Sequence, residues 1–251
     1  MIVLVSFGWG FAPVIEKLPG GEIDWTAEEL RAGASGTPTG GMVVVYESLE
    51  QDARSRLGLL MLELARRLQV TPTETAGDFL KADDVVADHM DGYLSGWGIE
   101  ESRYYTSGRV ELDGFLSLPT FVRPALVGKA EGREREGPPT IPVTGMVVDA
   151  RGLRVSPSVA PVLSAADGAR IYDIRTLTRD AASQRTPCVW VTDPADPVGV
   201  KRAGDQPLFV RATAVHEGAL VIGDTAVAAI QAAAAGAPFL IHGQVVIVVD
   251  P

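Results

Sequence analysis

Asp149 and Arg151 are the most suggestive polar pair in this chain. They stand two residues apart at the end of TGMVVDARG, residues 144–152. A carboxylate beside a guanidinium becomes catalytic machinery only with a base or nucleophile at hand, and none is visible near them in the sequence. The other reading is structural: Asp149 accepts amides of a turn, and Arg151 pairs with a carboxylate across the fold or in a neighbouring subunit. The three histidines, His89, His216 and His242, lie far apart and none sits at ligand spacing. Asp83, Asp84, Asp88 and Asp91 crowd one expected helix. They read as a cation or docking face, or as a solvated helix surface, since hard-cation sites usually draw ligands from a loop. No phosphate loop, GxSxG elbow, HExxH or EF-hand loop occurs. Gly8-Trp9-Gly10 and Gly96-Trp97-Gly98 lack the helix context of a dinucleotide loop and read as turns. Cys188 is the single cysteine, so neither an intrachain disulfide nor a cysteine-based zinc site is available. The expectation is therefore no catalytic residue, no cofactor and no metal.

The totals narrow the partners. Hydrophobic residues make up 46% and charged residues 22% of 251, enough for a sizeable core. The net charge of −10 argues against nucleic acid and against anionic lipid surfaces, both of which need a concentrated basic face. Residues 2–12 (IVLVSFGWGFA) are apolar, but at 11 residues too short to span a bilayer, which needs about 20. They read either as a signal sequence whose basic start is not part of this sequence or as a first strand.

The positioning elements follow from periodicity and turn chemistry. Residues 1–21 are the apolar N-terminal segment. Residues 22–127 form a first unit: a strand over 22–35, a long helix, a second helix over 78–94, and a hairpin of strands 99–106 and 109–118 about Ser107-Gly108. Val45, Leu49, Ala53, Leu57, Leu60, Leu64 and Leu68 mark one buried helix face. That helix starts at Leu49 if Ser48 and Gln51 form a capping box, or near Gly41 if they do not, and Pro72 ends it. Residues 119–127 close the unit. Residues 128–140 (GKAEGREREGPPT) hold no large apolar residue and read as a charged linker.

The second unit, 141–251, opens with the stretch that organises the chain, residues 144–173. It has a short strand at Met146 to Val148, a turn at 149–152, a proline-spaced extended run, and an Asp167-Gly168 hairpin signal. Residues 181–187 and 193–204 read as loops. Strands are expected at 188–192, 208–216 and 220–222. A helix over 225–235 should be capped by Asp224, and QVVIVV at 244–249 should be a strand buried on both faces. The fold class is α+β: two sheet-plus-helix units, the first with a long helix on its sheet, the second with one C-terminal helix before a final buried strand.

The order of these elements resembles the bacterial outer-membrane lipoprotein-twenty superfamily, which includes flagellar assembly proteins P and T. In the first half the likeness lies in the strand at 23–37, the Leu-rich helix to Val70, the acidic helix 78–92 and the hairpin 103–118. In the second half it lies in TGMVVDARG, Ser156-Pro157 to Pro161, the strand entry at 204–210, Ile222-Gly223-Asp224 and the closing 245–250. The likeness covers about residues 22–250, without a lipobox cysteine. It implies a non-enzymatic protein of the periplasm or the periplasmic face of the outer membrane. The implied partners are a homo-oligomer or other envelope proteins, with no transmembrane span. The alternative is a periplasmic binding module for a small ligand or cell-wall fragment, held in a cleft between the units near Trp25, Trp97 or Trp190. An enzyme would need a carboxylate pair held in a cleft.

Overall fold

The computed structural model describes residues 10–38, 45–82, 84, 88, 90, 92, 96–134 and 139–251. The chain is α+β, as its patterning implies. Strands β1 (Ile15–Leu18) and β2 (Gly21–Asp24) pair antiparallel about Gly20, whose φ is +91°. The single strand expected over 22–35 is instead a hairpin. Asp24 breaks it, because its Oδ1 accepts the amides of Thr26 at 3.0 Å and Ala27 at 2.8 Å. Glu28 then takes φ +58°, and β3 (Glu29–Gly36) runs back along β2.

Helix α1 (Tyr46–Arg67) follows. Its capping box does not form: the Ser48 hydroxyl donates to the Val45 carbonyl at 2.8 Å, and no side chain caps the first turn. Val45, expected on the buried stripe, is exposed, while Ala53, Leu57, Met61 and Leu64 are buried. The helix also ends before Pro72, because Gln69–Thr71 (β4) pairs with Glu74–Thr75 (β5) in a small hairpin. Helix α2 (Ala76–Ala82) begins where the second helix was expected. Its continuation is helical at residues 84, 88, 90 and 92; Asp83, Asp91 and His89 lie outside the described residues, as do Met1 to Trp9 of the apolar start.

Strands β6 (Gly98–Tyr104) and β7 (Val110–Ser117) form the expected hairpin about Gly108, φ +87°. They complete an antiparallel sheet ordered β1-β2-β3-β7-β6. β7 alternates strictly, with Val110, Leu112 and Leu116 turned to the core. Residues expected only to close the unit are a helix, α3 (Leu118–Lys129). Pro119 sits in its first turn, where no amide partner is lost, and a face of Leu118, Phe121, Val122, Ala125 and Leu126 is buried despite Pro124.

The second sheet is built on β8 (Gly145–Asp149), β12 (Pro207–His216), β14 (Val245–Val248) and β11 (Cys188–Val191). With β9 (Leu163–Ala165), β10 (Arg170–Tyr172) and β13 (Ala219–Ile222), its order is β10-β9-β13-β12-β8-β14-β11. The four strands from β12 to β11 are parallel. All four residues of β14 are buried, as its unbroken apolar run predicts. Helix α6 (Asp224–Gly236) precedes β14; Gly223 is its N-cap and Asp224 its first residue, one position off the expectation. Two expected loops hold short helices. Thr178 caps α4 (Arg179–Gln184), and Asp196 with Pro197 starts α5 (Pro197–Ala203).

The two halves share a core: buried residues of both sheets, from Ile23 to Val249, form one cluster. The segment expected as a free linker is tied down at its ends. Ala130 is buried, the Glu131 and Gly132 amides donate to Arg175 and Leu177 carbonyls, and Thr140 donates to Gly236. Gly132 permits this, since a Cβ there would overlap the Thr176 and Leu177 carbonyls. Residues 135–138 lie outside the described residues. Across the junction β4 also bonds the second half: Val159 and Ala160 amides donate to Gln69 and Val70 carbonyls at 3.0 and 2.7 Å.

Candidate functional site

Asp149 and Arg151 come together, but on each other. β8 ends at Asp149, and the chain turns through Gly152 at φ +82°. Arg151 donates Nε to Asp149 Oδ1 at 2.8 Å and Nη2 to Oδ2 at 3.0 Å, a two-pronged fork, and its amide reaches Oδ1 at 3.1 Å. Asp149 thus accepts a turn amide as expected, whereas Arg151 finds its carboxylate two residues back rather than across the fold. That contact, more than anything else, holds the Asp149 carboxyl below the usual carboxylate range. Asp250 accepts the Gly152 amide at 2.8 Å and finishes the turn. Neither of the described histidines joins them: His216 ends β12, and His242 pairs with Glu134 at 3.1 Å.

The other residues singled out by type are mostly packing. Trp190 is buried and its Nε1 donates to the Ser158 carbonyl at 2.8 Å; Trp25 is buried and donates to Glu16 at 3.0 Å. Trp97 is half-buried against the first core. None of the three lines the cleft between the halves. Cys188 is buried, and burial pushes its thiol pKa up, so it stays protonated and unreactive. Asp84 and Asp88 are exposed. Among the described residues no group of three His, Cys, Asp or Glu is placed to hold a metal ion.

Among the described residues a cleft of about 610 Å³ lies between the halves. The β4–β5 hairpin, α2 and the end of α3 form one wall; β9, β10 and the β12–β13 turn form the other. The second wall carries a triad that the sequence did not announce as a site. Asp173, whose side chain is 8% exposed, caps the 3-10 turn Ile174–Thr176: its Oδ1 accepts the Arg175 amide at 2.9 Å, and its own amide donates to Thr176 Oγ1 at 3.1 Å. Its Oδ2 accepts Arg170 Nη1 at 2.9 Å and Arg175 Nη2 at 3.3 Å. The Asp173…Thr176 spacing is a capping signature legible in the sequence, but the convergence of Arg170 on the same oxygen comes from the β9–β10 hairpin. Next to it Tyr172 is fully buried, with its hydroxyl donating to the Pro187 carbonyl at 2.6 Å. This anchors the segment.

No helix among the described residues is long and apolar enough to cross a membrane. No curated protein matches the chain. Residues 145–251, from the first residue of β8 to the C-terminus and hence the whole seven-stranded sheet, are similar to the second domain of Treponema pallidum Tp0624.

Proposed function

We propose that the protein is a non-enzymatic structural protein of the periplasm, associated with the outer membrane. It self-assembles or supports the assembly of an envelope machine such as the flagellar motor. The family resemblance of its element order supports this. The structural observation that carries it is a set of exposed apolar side chains at the edge of a covered sheet face. On the outer side of the second sheet, Val147, Val189, Val191, Val246 and Val248 pack under α5. Phe209 is the register partner of Val147 on β12, so it points to the same side, yet it is 65% exposed. Val198 and Val200 of α5 are exposed as well. A large aromatic left open beside a valine-packed face is the kind of surface that a second copy covers. Sedimentation equilibrium tests it. The wild-type chain should associate, and Phe209→Glu should be monomeric with the melting temperature of the dilute, dissociated wild type. A wild-type monomer at high concentration removes the reading.

A second reading, a binding module for a small ligand, is favoured by one observation, the cleft between the halves. Its volume lies in the range of about 300–1,000 Å³ typical of ligand sites. Calorimetric titration with small ligands is its test.

A further inference from the structure

We infer that the cleft between the halves takes a small zwitterion, an amino acid or short peptide, whose carboxylate is held by Arg170 and Arg175. The inference rests on the reading of the protein as a ligand-binding module and names that module's ligand.

The two arginines are pre-set. Both line the cleft, and both are pinned to one oxygen of Asp173. A guanidinium carries five N–H donors in a rigid fork. Asp173 engages one nitrogen of Arg170 and two of Arg175, the Nε contact being 3.4 Å. The arginine side chains are 58% and 49% exposed, while Asp173 is 8% exposed. The buried carboxylate therefore holds both guanidinium groups, which line the cleft and are half exposed. Two cations on one anion leave the triad with a net positive charge. Little side-chain entropy remains to be lost when an incoming carboxylate docks.

The charges around the triad select the rest of the ligand. Lys129, Arg170 and Arg175 face Glu74, Glu131, Asp173 and Glu217 in the same cleft. A bare anion would meet the three glutamates as well as a protein of net charge −10. A bare cation would meet the arginines. A ligand carrying both charges satisfies both sets, its carboxylate on the arginine fork and its ammonium on a glutamate. Phe79, Val162 and Ile174 supply apolar surface between them for a small side chain.

The cleft is shaped by parts that already hold firmly. Glu217 stands at φ +50° in the β12–β13 turn, and Gly218 presses on Pro72 of the β4–β5 hairpin, where a Cβ would crowd the proline ring. Glu217 thus stands on the same wall as the arginines, and the Gly218–Pro72 contact packs that wall against the hairpin that carries Glu74.

The experiment is calorimetric titration of the full chain with dialanine, dialanine amide and acetate. Saturable binding of dialanine is expected, with the amide about tenfold or more weaker because a charge-assisted contact is lost, and acetate weaker still. The double variant Arg170→Gln/Arg175→Gln should lose dialanine binding; because it also strips Asp173 of its partners, the ligand series on the wild-type chain carries the decision. If the amide or acetate binds as tightly as dialanine, the zwitterion assignment is overturned while the cleft stands as a ligand site. If none of the three binds at millimolar concentration, the zwitterion inference falls, and titration with a larger cell-wall fragment then decides the binding-module reading separately.

Discussion

Arg202→Met should be among the most damaging single changes at the junction. Arg202 lies in α5 with its side chain 10% exposed, and it reaches into the first half. Its Nη2 donates to Glu28 at 3.1 Å; its Nη1 donates to the Thr186 carbonyl at 2.7 Å and the Gly243 carbonyl at 3.2 Å. Glu28 is 19% exposed and also accepts the Thr186 hydroxyl. Methionine keeps the stem and removes the guanidinium. It leaves a nearly buried carboxylate with one neutral donor, at a cost of about 3–5 kcal/mol. In a chain of this size that is a fall in Tm on the order of 10 °C. Glu28→Gln keeps Arg202 on its two carbonyls and should cost less, roughly 1.5–3 kcal/mol. The double variant should fall short of the sum by at least about 1 kcal/mol, because the two groups act as a unit.

The backbone provides an internal control. Glu28 stands at φ +58°, a conformation that costs a non-glycine residue about 1 kcal/mol. Glu28→Gly and Glu28→Ala both lose the carboxylate, so glycine should be the more stable by that amount. Urea unfolding followed by tryptophan fluorescence reads these values, since Trp25 and Trp190 are buried and Thr26 bonds the Trp190 carbonyl at 2.8 Å. Additive single costs would refute the Glu28–Arg202 coupling, and alanine as stable as glycine would refute the backbone strain at Glu28. Two separate unfolding transitions in the wild type would refute the shared core.

Two further outcomes are expected. The folded-state pKa of Asp149 is depressed, so its stabilisation is full above the unfolded carboxylate range and disappears as pH falls through the lower folded value. Asp149→Ala should therefore be about 1 kcal/mol less stable than wild type near pH 7, with the difference shrinking as pH falls below the usual carboxylate range, as read by urea melts at each pH. Gly132→Ala should cost roughly 1–3 kcal/mol in thermal unfolding, because the added methyl meets the Thr176 and Leu177 carbonyls; a neutral result would mean that the 130–132 segment detaches freely.

Local pattern carried much of this architecture. The period of the Leu-rich segment, the Ser107-Gly108 and Asp167-Gly168 turns, and the apolar run of β14 appear in the structure near where the sequence places them, because each is written into neighbouring residues. The Asp149 turn is similarly local, being closed by a residue two positions on. The misses have local causes too. Asp24 interrupts an otherwise extended run, and the prolines at 119, 124 and 197 resemble helix breakers although 119 and 197 occupy first turns, where proline is tolerated.

The sequence by itself determined the α+β class, the buried central strand and Asp149 as an acceptor of turn amides, whereas it placed the partner of Arg151 across the fold and not two residues back. Only the tertiary structure decided that the halves share a core, that Glu28 meets Arg202, that Phe209 is left open, and that the locally formed Arg170–Asp173–Arg175 cluster lines a cleft whose other wall comes from the first half. Those features depend on which surfaces of distant segments are brought face to face, and one-dimensional spacing carries no record of that.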